Sequence, residues 1–91
     1  MLKIQSDFKK FADVKRAKIQ ARFFKTGTGQ YAESDKFIGV TVPQTRLIAR
    51  KYEHIDIKDL AILIKSSVHE ERLCALLILV NQFSILARLH Q

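Results

Sequence analysis

The chain has 91 residues, room for one small domain, and 47% of them are hydrophobic, which excludes a disordered polymer and implies a packed core. Sixteen Lys and Arg against nine Asp and Glu leave a formal charge of +7, a balance that suits polyanionic partners. The single cysteine, Cys74, excludes an internal disulfide, and the longest apolar run (LCALLILV, 73–80) falls well short of the roughly 20 residues of a membrane span.

The first ten residues, MLKIQSDFKK, carry charges where a signal peptide needs an apolar stretch, so the expectation is a cytoplasmic protein with no membrane association. Residues 2–25 hold no Gly or Pro and read as one helix. Ile4, Phe8, Phe11, Ile19 and Phe23 fall close to one apolar stripe. Lys15, Lys18, Arg22 and Lys25 form a cationic stripe at helical steps with almost no acidic partner on the same face. That stripe reads either as a solvated face or as a contact for a polyanion. Gly27 then marks the helix stop, and Gly29 adds backbone freedom.

Pro43 suits the first position of a second helix, whose pattern turns Leu47, Ile48 and Tyr52 inward and sets Arg46 and Arg50 one turn apart. Asp56 is the expected N-cap of a third helix with Ile57, Leu60, Leu63 and Ile64 as its apolar face; this helix and the preceding one are expected to form a tight hairpin. Ser67 and Glu70 have the spacing of a capping box that opens a fourth helix running to about Leu89. The 73–80 run also fits a buried strand by pattern alone, but the cap, the length and the Leu and Ala content favour helix. The fourth helix is apolar nearly all round at its centre, as in an element buried between two layers. Helical repeats of the HEAT kind and a plain four-helix bundle both accommodate this order.

Catalytic chemistry is sparse. His54, His69 and His90 are scattered and have no cysteine companions, so no metal or organic cofactor is expected. GTG at 27–29 lacks the Lys-Ser/Thr ending of a phosphate loop, and Glu33 with Asp35 is a carboxylate pair on a loop without a nucleophile beside it. Cys74, inside an apolar run, reads as core filling.

The segment RFFKTGTGQYAESDKFIGVTVPQTRLIARKY (22–52) resembles the opening segment of DNA alkylation repair enzymes of the AlkD-like family. The matching elements are Phe-Phe-Lys-Thr-Gly, Gly-x-Tyr, Asp-x-Phe-x-Gly-Val and Pro-x-x-Arg, in that order. SSVHEERLCALLILVNQF (66–83) resembles the same family's next characteristic helix. The resemblance implies an all-α fold, an α-α superhelix of antiparallel HEAT-like helix pairs, with residues 1–91 a single helical domain that matches the N-terminal portion of a longer solenoid. It implies a basic concave face that holds double-stranded DNA. It also implies an activity, release of N3- and N7-alkylated purines by N-glycosidic bond cleavage without a cofactor. The aspartate, tryptophans and arginine credited with that chemistry belong to later repeats, and this chain has no tryptophan. The expectation is therefore a truncated member that lacks catalytic residues, binds DNA, and self-associates through Leu76, Leu77, Val80 or Ile85 of an uncovered last helix. The alternative is a HEAT-like protein-interaction module. Arg22, Lys25, Tyr31, Lys36, Arg46 and Arg50 are the expected DNA contacts, against the plainer reading in which Tyr31, Asp35 and Phe37 only pin the glycine loop to the helices.

Overall fold

The computed structural model describes residues 2–23 and 36–89, without the side chains of 85–87. Among these residues there are five helices: α1 (Lys3–Phe11), α2 (Val14–Phe23), α3 (Val42–Lys51), α4 (Ile57–Ile64) and α5 (His69–Leu89). The fold is all-α, with one isolated parallel bridge between Lys36 and Val68. The proposed stops at Gly27 and Gly29 lie outside the described residues.

The longest helix, α5, is the central element, packed by both α3 and α4, while α1 packs on α3. Cys74, Ala75 and Ile78 of α5 meet Ile48 and Ala49 of α3 and Leu60 and Leu63 of α4 in one buried cluster, which Ile4, Phe8 and Val40 complete. The expected tight hairpin is thus corrected: α3 and α4 share α5 as their principal partner, because their buried apolar residues, Ile48 and Ala49 on α3 and Leu60 and Leu63 on α4, join its core cluster.

The stretch read as one helix is two. Ala12 is extended, at φ −62° and ψ 141°, and Asp13 restarts the helix by accepting from the Arg16 N–H through Oδ1 at 2.9 Å. The break is held from a distance, for the Asp13 N–H donates to the Ile38 carbonyl at 2.9 Å. It also ends the apolar stripe. Ile4 and Phe8 are buried, whereas Ile19 and Phe23 are 60% and 80% exposed on a helix with no buried residue.

Three further inward assignments are corrected: Leu47, Ile57 and Ile64 are exposed. On α3 the inward place belongs to Thr45, fully buried because its hydroxyl donates to the Thr41 carbonyl at 2.9 Å. Helix α3 begins at Val42, one residue before Pro43, under a Thr41–Gln44 capping box; Asp56 caps α4 as expected, accepting from the Lys58 N–H. Residues 73–80 lie within α5, which settles the helix-or-strand ambiguity in favour of helix.

The box expected at Ser67 and Glu70 does not form. The Glu70 carboxylate instead accepts from three successive backbone N–H groups, those of Ile38, Gly39 and Val40, at 2.9 to 3.3 Å. Residues 36–40 are thereby strapped across the molecule. Lys36 exchanges backbone bonds with Ser67 and His69, Arg16 donates to the Gly39 carbonyl at 2.7 Å, and the Phe37 ring lies 4.7 Å from that of His69. Gly39 sits at φ +82°, and a Cβ there would stand 2.0 Å from the Asp13 carbonyl oxygen, so only glycine fits.

Candidate nucleic-acid interface

With Thr45, Ile48 and Ala49 turned inward, the helical period puts Arg46 and Arg50 at the boundary between α3 and α5, both exposed. Together with Ala49, Leu77 and Asn81 they line a depression of about 190 Å³. Among the described residues no carboxylate lies within 4.0 Å of either guanidinium. Two planar, permanently charged donor forks one turn apart, with a carboxamide beside them, suit a phosphate oxygen more than a neutral ligand. Asn81 was not singled out from sequence; the signal was a lone polar residue closing an apolar run.

The other side of α3 is tied to α1. The Asp7 carboxylate accepts from Lys51 Nζ and from Tyr52 Oη, both at 2.8 Å, with Lys10 Nζ at 3.4 Å. These partners, the Lys51 hydrogen bond first and that of Tyr52 second, lower the carboxyl to about 2 against the opposing effect of burial. The same contact raises the Lys51 ammonium, while burial and then the Asp7 bond raise the Tyr52 phenol. Residues 47 and 51 are therefore committed to the α1 side and 46 and 50 to the α5 side.

Of the other expected contacts, Lys36 is exposed beside the start of α5, and Arg22 is exposed in the last turn of α2; neither lines the Arg46–Arg50 depression. Lys25 and Tyr31 lie outside the described residues, as do Glu33 and Asp35.

The described carboxylates are mostly tied into the fold. Asp13 and Asp56 cap helices, Asp7 joins α1 to α3, Glu70 holds the 38–40 strap, and Glu71 accepts from Gln5 Nε2 at 3.1 Å. The formal excess of positive charge is thus carried by exposed cations such as Arg46 and Arg50. Among the described residues no group of three or more His, Cys, Asp or Glu is placed to hold a metal ion. Cys74 is fully buried, and burial, with the Glu71 charge second, pushes its thiol up to about 12, so it is no nucleophile at neutral pH. No helix among the described residues is long and apolar enough to cross a membrane.

A family model described as DNA alkylation repair enzyme matches residues 4–89. The chain belongs to the DNA alkylation repair enzyme family. No curated protein and no solved structure gives a significant match. The family span takes in α2 to α5 and all of α1 but its first residue, and so includes the strap, its Glu70 anchor and the Arg46–Arg50 depression.

Proposed function

We propose that this DNA alkylation repair protein grips double-stranded DNA by its phosphate backbone, and that the 91 residues alone do not excise a base. In this reading the chain is one helical unit that corresponds to the first part of an AlkD-like stack of HEAT-like pairs. Arg46 and Arg50 contact phosphate, Asn81 assists, and Lys36, Arg22, Lys25 and Tyr31 extend the contact. The observation that carries it is the α3–α5 depression, where two exposed guanidiniums stand together with no described carboxylate within 4.0 Å. Excision needs a carboxylate to stabilise positive charge on the departing sugar and aromatic rings to hold a cationic base. Tryptophan is absent from the sequence, and most of the described carboxylates already serve the fold.

The test is a salt titration of binding to an undamaged duplex. Affinity should be sequence-independent and should fall linearly on a log–log plot, with a slope of about −0.9 per phosphate contact. Arg46→Glu and Arg50→Glu should each flatten that slope by about one contact and weaken binding about tenfold. Absence of binding at low salt would defeat the proposal. On DNA carrying N7-methylguanine, free-base release should match the spontaneous rate. Faster release would place a catalytic group in the chain, with Asp35 the first residue to replace. Exposed Leu76 and Val80 on α5 support a second reading, a protein-interaction module whose binding survives moderate salt and ignores the two arginine substitutions.

A further inference from the structure

Residues 1–25 hold eight of the sixteen Lys and Arg but only two of the nine Asp and Glu, so six of the seven net positive charges lie at this end of the chain. Some of these cations serve the fold: Lys10 pairs with Asp7, and Arg16 donates to the Gly39 carbonyl. Lys15, Lys18 and Arg22 do not. They are exposed at steps of three and four on one face of α2, with no carboxylate within 4.0 Å among the described residues. No acidic residue occurs in the sequence between Asp13 and Glu33.

Helix α2 lies along the carbonyl side of the strap. The Asp13 N–H, Arg16 Nη1 and Gln20 Nε2 donate in turn to the carbonyls of Ile38, Gly39 and Val40, at 2.9, 2.7 and 3.5 Å, while Glu70 takes the N–H groups of the same three residues. Beside that seam runs a groove of about 470 Å³, lined by Val14, Ala17, Lys18 and Ala21 of α2 and by Phe37 and Ile38 of the strap. Positions 14, 17, 18 and 21 form one helical face two turns, or about 10 Å, long. The alanines leave the room in it. The Asp13 carboxylate also lines the groove and is occupied as the cap on the Arg16 N–H.

We propose that this groove docks an acidic amphipathic helix of a partner protein, with apolar side chains seated between α2 and the strap and carboxylates on Lys15, Lys18 and Arg22. Charge decides the occupant. A second copy of this chain would bring the same cations to the contact, whereas a helix rich in Asp and Glu neutralises them. A phosphate backbone would meet the cations but has nothing to place in an apolar groove; a peptide helix fills it with side chains at i, i+3, i+4 and i+7. The volume lies within the range of about 300–1,000 Å³ typical of ligand sites. This inference does not rest on the DNA reading, whose arginines line a different depression.

The probe is a fluorescein-labelled peptide of about 16 residues with Leu at i, i+3, i+4 and i+7 and Glu on both flanks, titrated with the 91-residue chain by anisotropy. A Kd of about 10–100 µM is expected. Replacing the peptide's Leu by Ser, or its Glu by Gln, should each weaken binding at least about tenfold. In the chain, Lys18→Glu should weaken it about tenfold, while Lys58→Glu, the same charge change at an exposed position of α4, should leave it within about twofold. Ala17→Leu, which fills the groove and keeps every charge, should weaken it at least about fivefold. On binding, the amide NMR signals of residues 14–21 and 37–38 should shift most. No binding at about 1 mM chain would overturn the proposal. So would a Ser-substituted peptide that binds like the parent peptide, Lys58→Glu as harmful as Lys18→Glu, or shifts centred on another element. A loss of duplex DNA binding in Lys18→Glu as large as its loss of peptide binding would make the surface a nucleic-acid contact and equally overturn it. If Ala17→Leu disturbs the fold, Lys18→Glu and the peptide variants decide.

Discussion

Replacing Glu70 by alanine removes the acceptor for three adjacent backbone donors, two of which, on Gly39 and Val40, are buried. A buried donor left unpaired costs about 1–3 kcal/mol, and water can reach the half-buried Ile38 more readily, so the loss should total about 3–5 kcal/mol. A domain of this size is stable by roughly 5–13 kcal/mol, so Glu70→Ala should remove a large fraction of it. Glu70→Gln should cost much less. A carbonyl oxygen in the place of Oε2 still reaches all three N–H groups, and only the weak 3.3 Å contact of Oε1 with Ile38 becomes donor against donor. With the charge gone as well, about 1–2 kcal/mol is expected for the glutamine. Urea unfolding followed by circular dichroism separates the two variants. At a slope near 1.5 kcal/mol/M, alanine should lower the midpoint by about 2–3 M and glutamine by about 1 M. An alanine variant within about 1 kcal/mol of the parent, or no worse than the glutamine, would refute the account of Glu70 as the anchor of the strap.

Gly39→Ala meets both a left-handed backbone and the Asp13 carbonyl 2.0 Å from its new methyl, so a loss of at least about 2 kcal/mol is expected in the same unfolding assay. The Asp7 carboxyl is held at about 2, below its reference of 3.8, so it contributes stability that is complete above about pH 4 and lost as the pH falls through about 2. Asp7→Asn should therefore be less stable than the parent at pH 7, and its stability should fall less between pH 4 and pH 2, as urea midpoints across that range would reveal. The Cys74 thiol, buried and raised to about 12, should resist a thiol reagent at pH 8 in the folded protein and react fully in urea; prompt reaction without denaturant would contradict the buried placement.

Local signals in the sequence were the reliable ones. Pro43 near a helix start, Asp56 as a cap and the outward pair Arg46 and Arg50 are each set by a few neighbouring residues, and the structure has all three. The break at Ala12 had a local sign in Asp13, a good N-cap residue. Its cause, however, is a carbonyl and a glycine 25 and 26 positions along the chain, which no helical period can register. The case of Glu70 is similar. Its spacing from Ser67 satisfied a capping rule, but the amides of 38–40 offered three charge-assisted bonds and took the carboxylate away. Leu47 was assigned inward on hydrophobicity; a threonine that satisfies its own hydroxyl within the helix took the core place instead. For the candidate interface, the arginines were legible as a pair on one helix. Asn81 was not, because its approach to them depends on how α3 lies on α5.

The strap also bears on the order in which the chain assembles. Contacts of 36–40 with 67–70 close a cycle of about thirty residues that encloses α3 and α4, much as a cross-link would, but with hydrogen bonds that form only when α5 has its first turn in place. Until that cycle closes, Asp13 lacks the Ile38 carbonyl that receives its N–H, and Arg16 lacks the Gly39 carbonyl. The break between α1 and α2 should accordingly be a late event in folding, and α2, which buries no residue, the first helix to let go. Amide exchange should follow that sequence, fastest along α2 and slowest where α5 crosses α3 and α4.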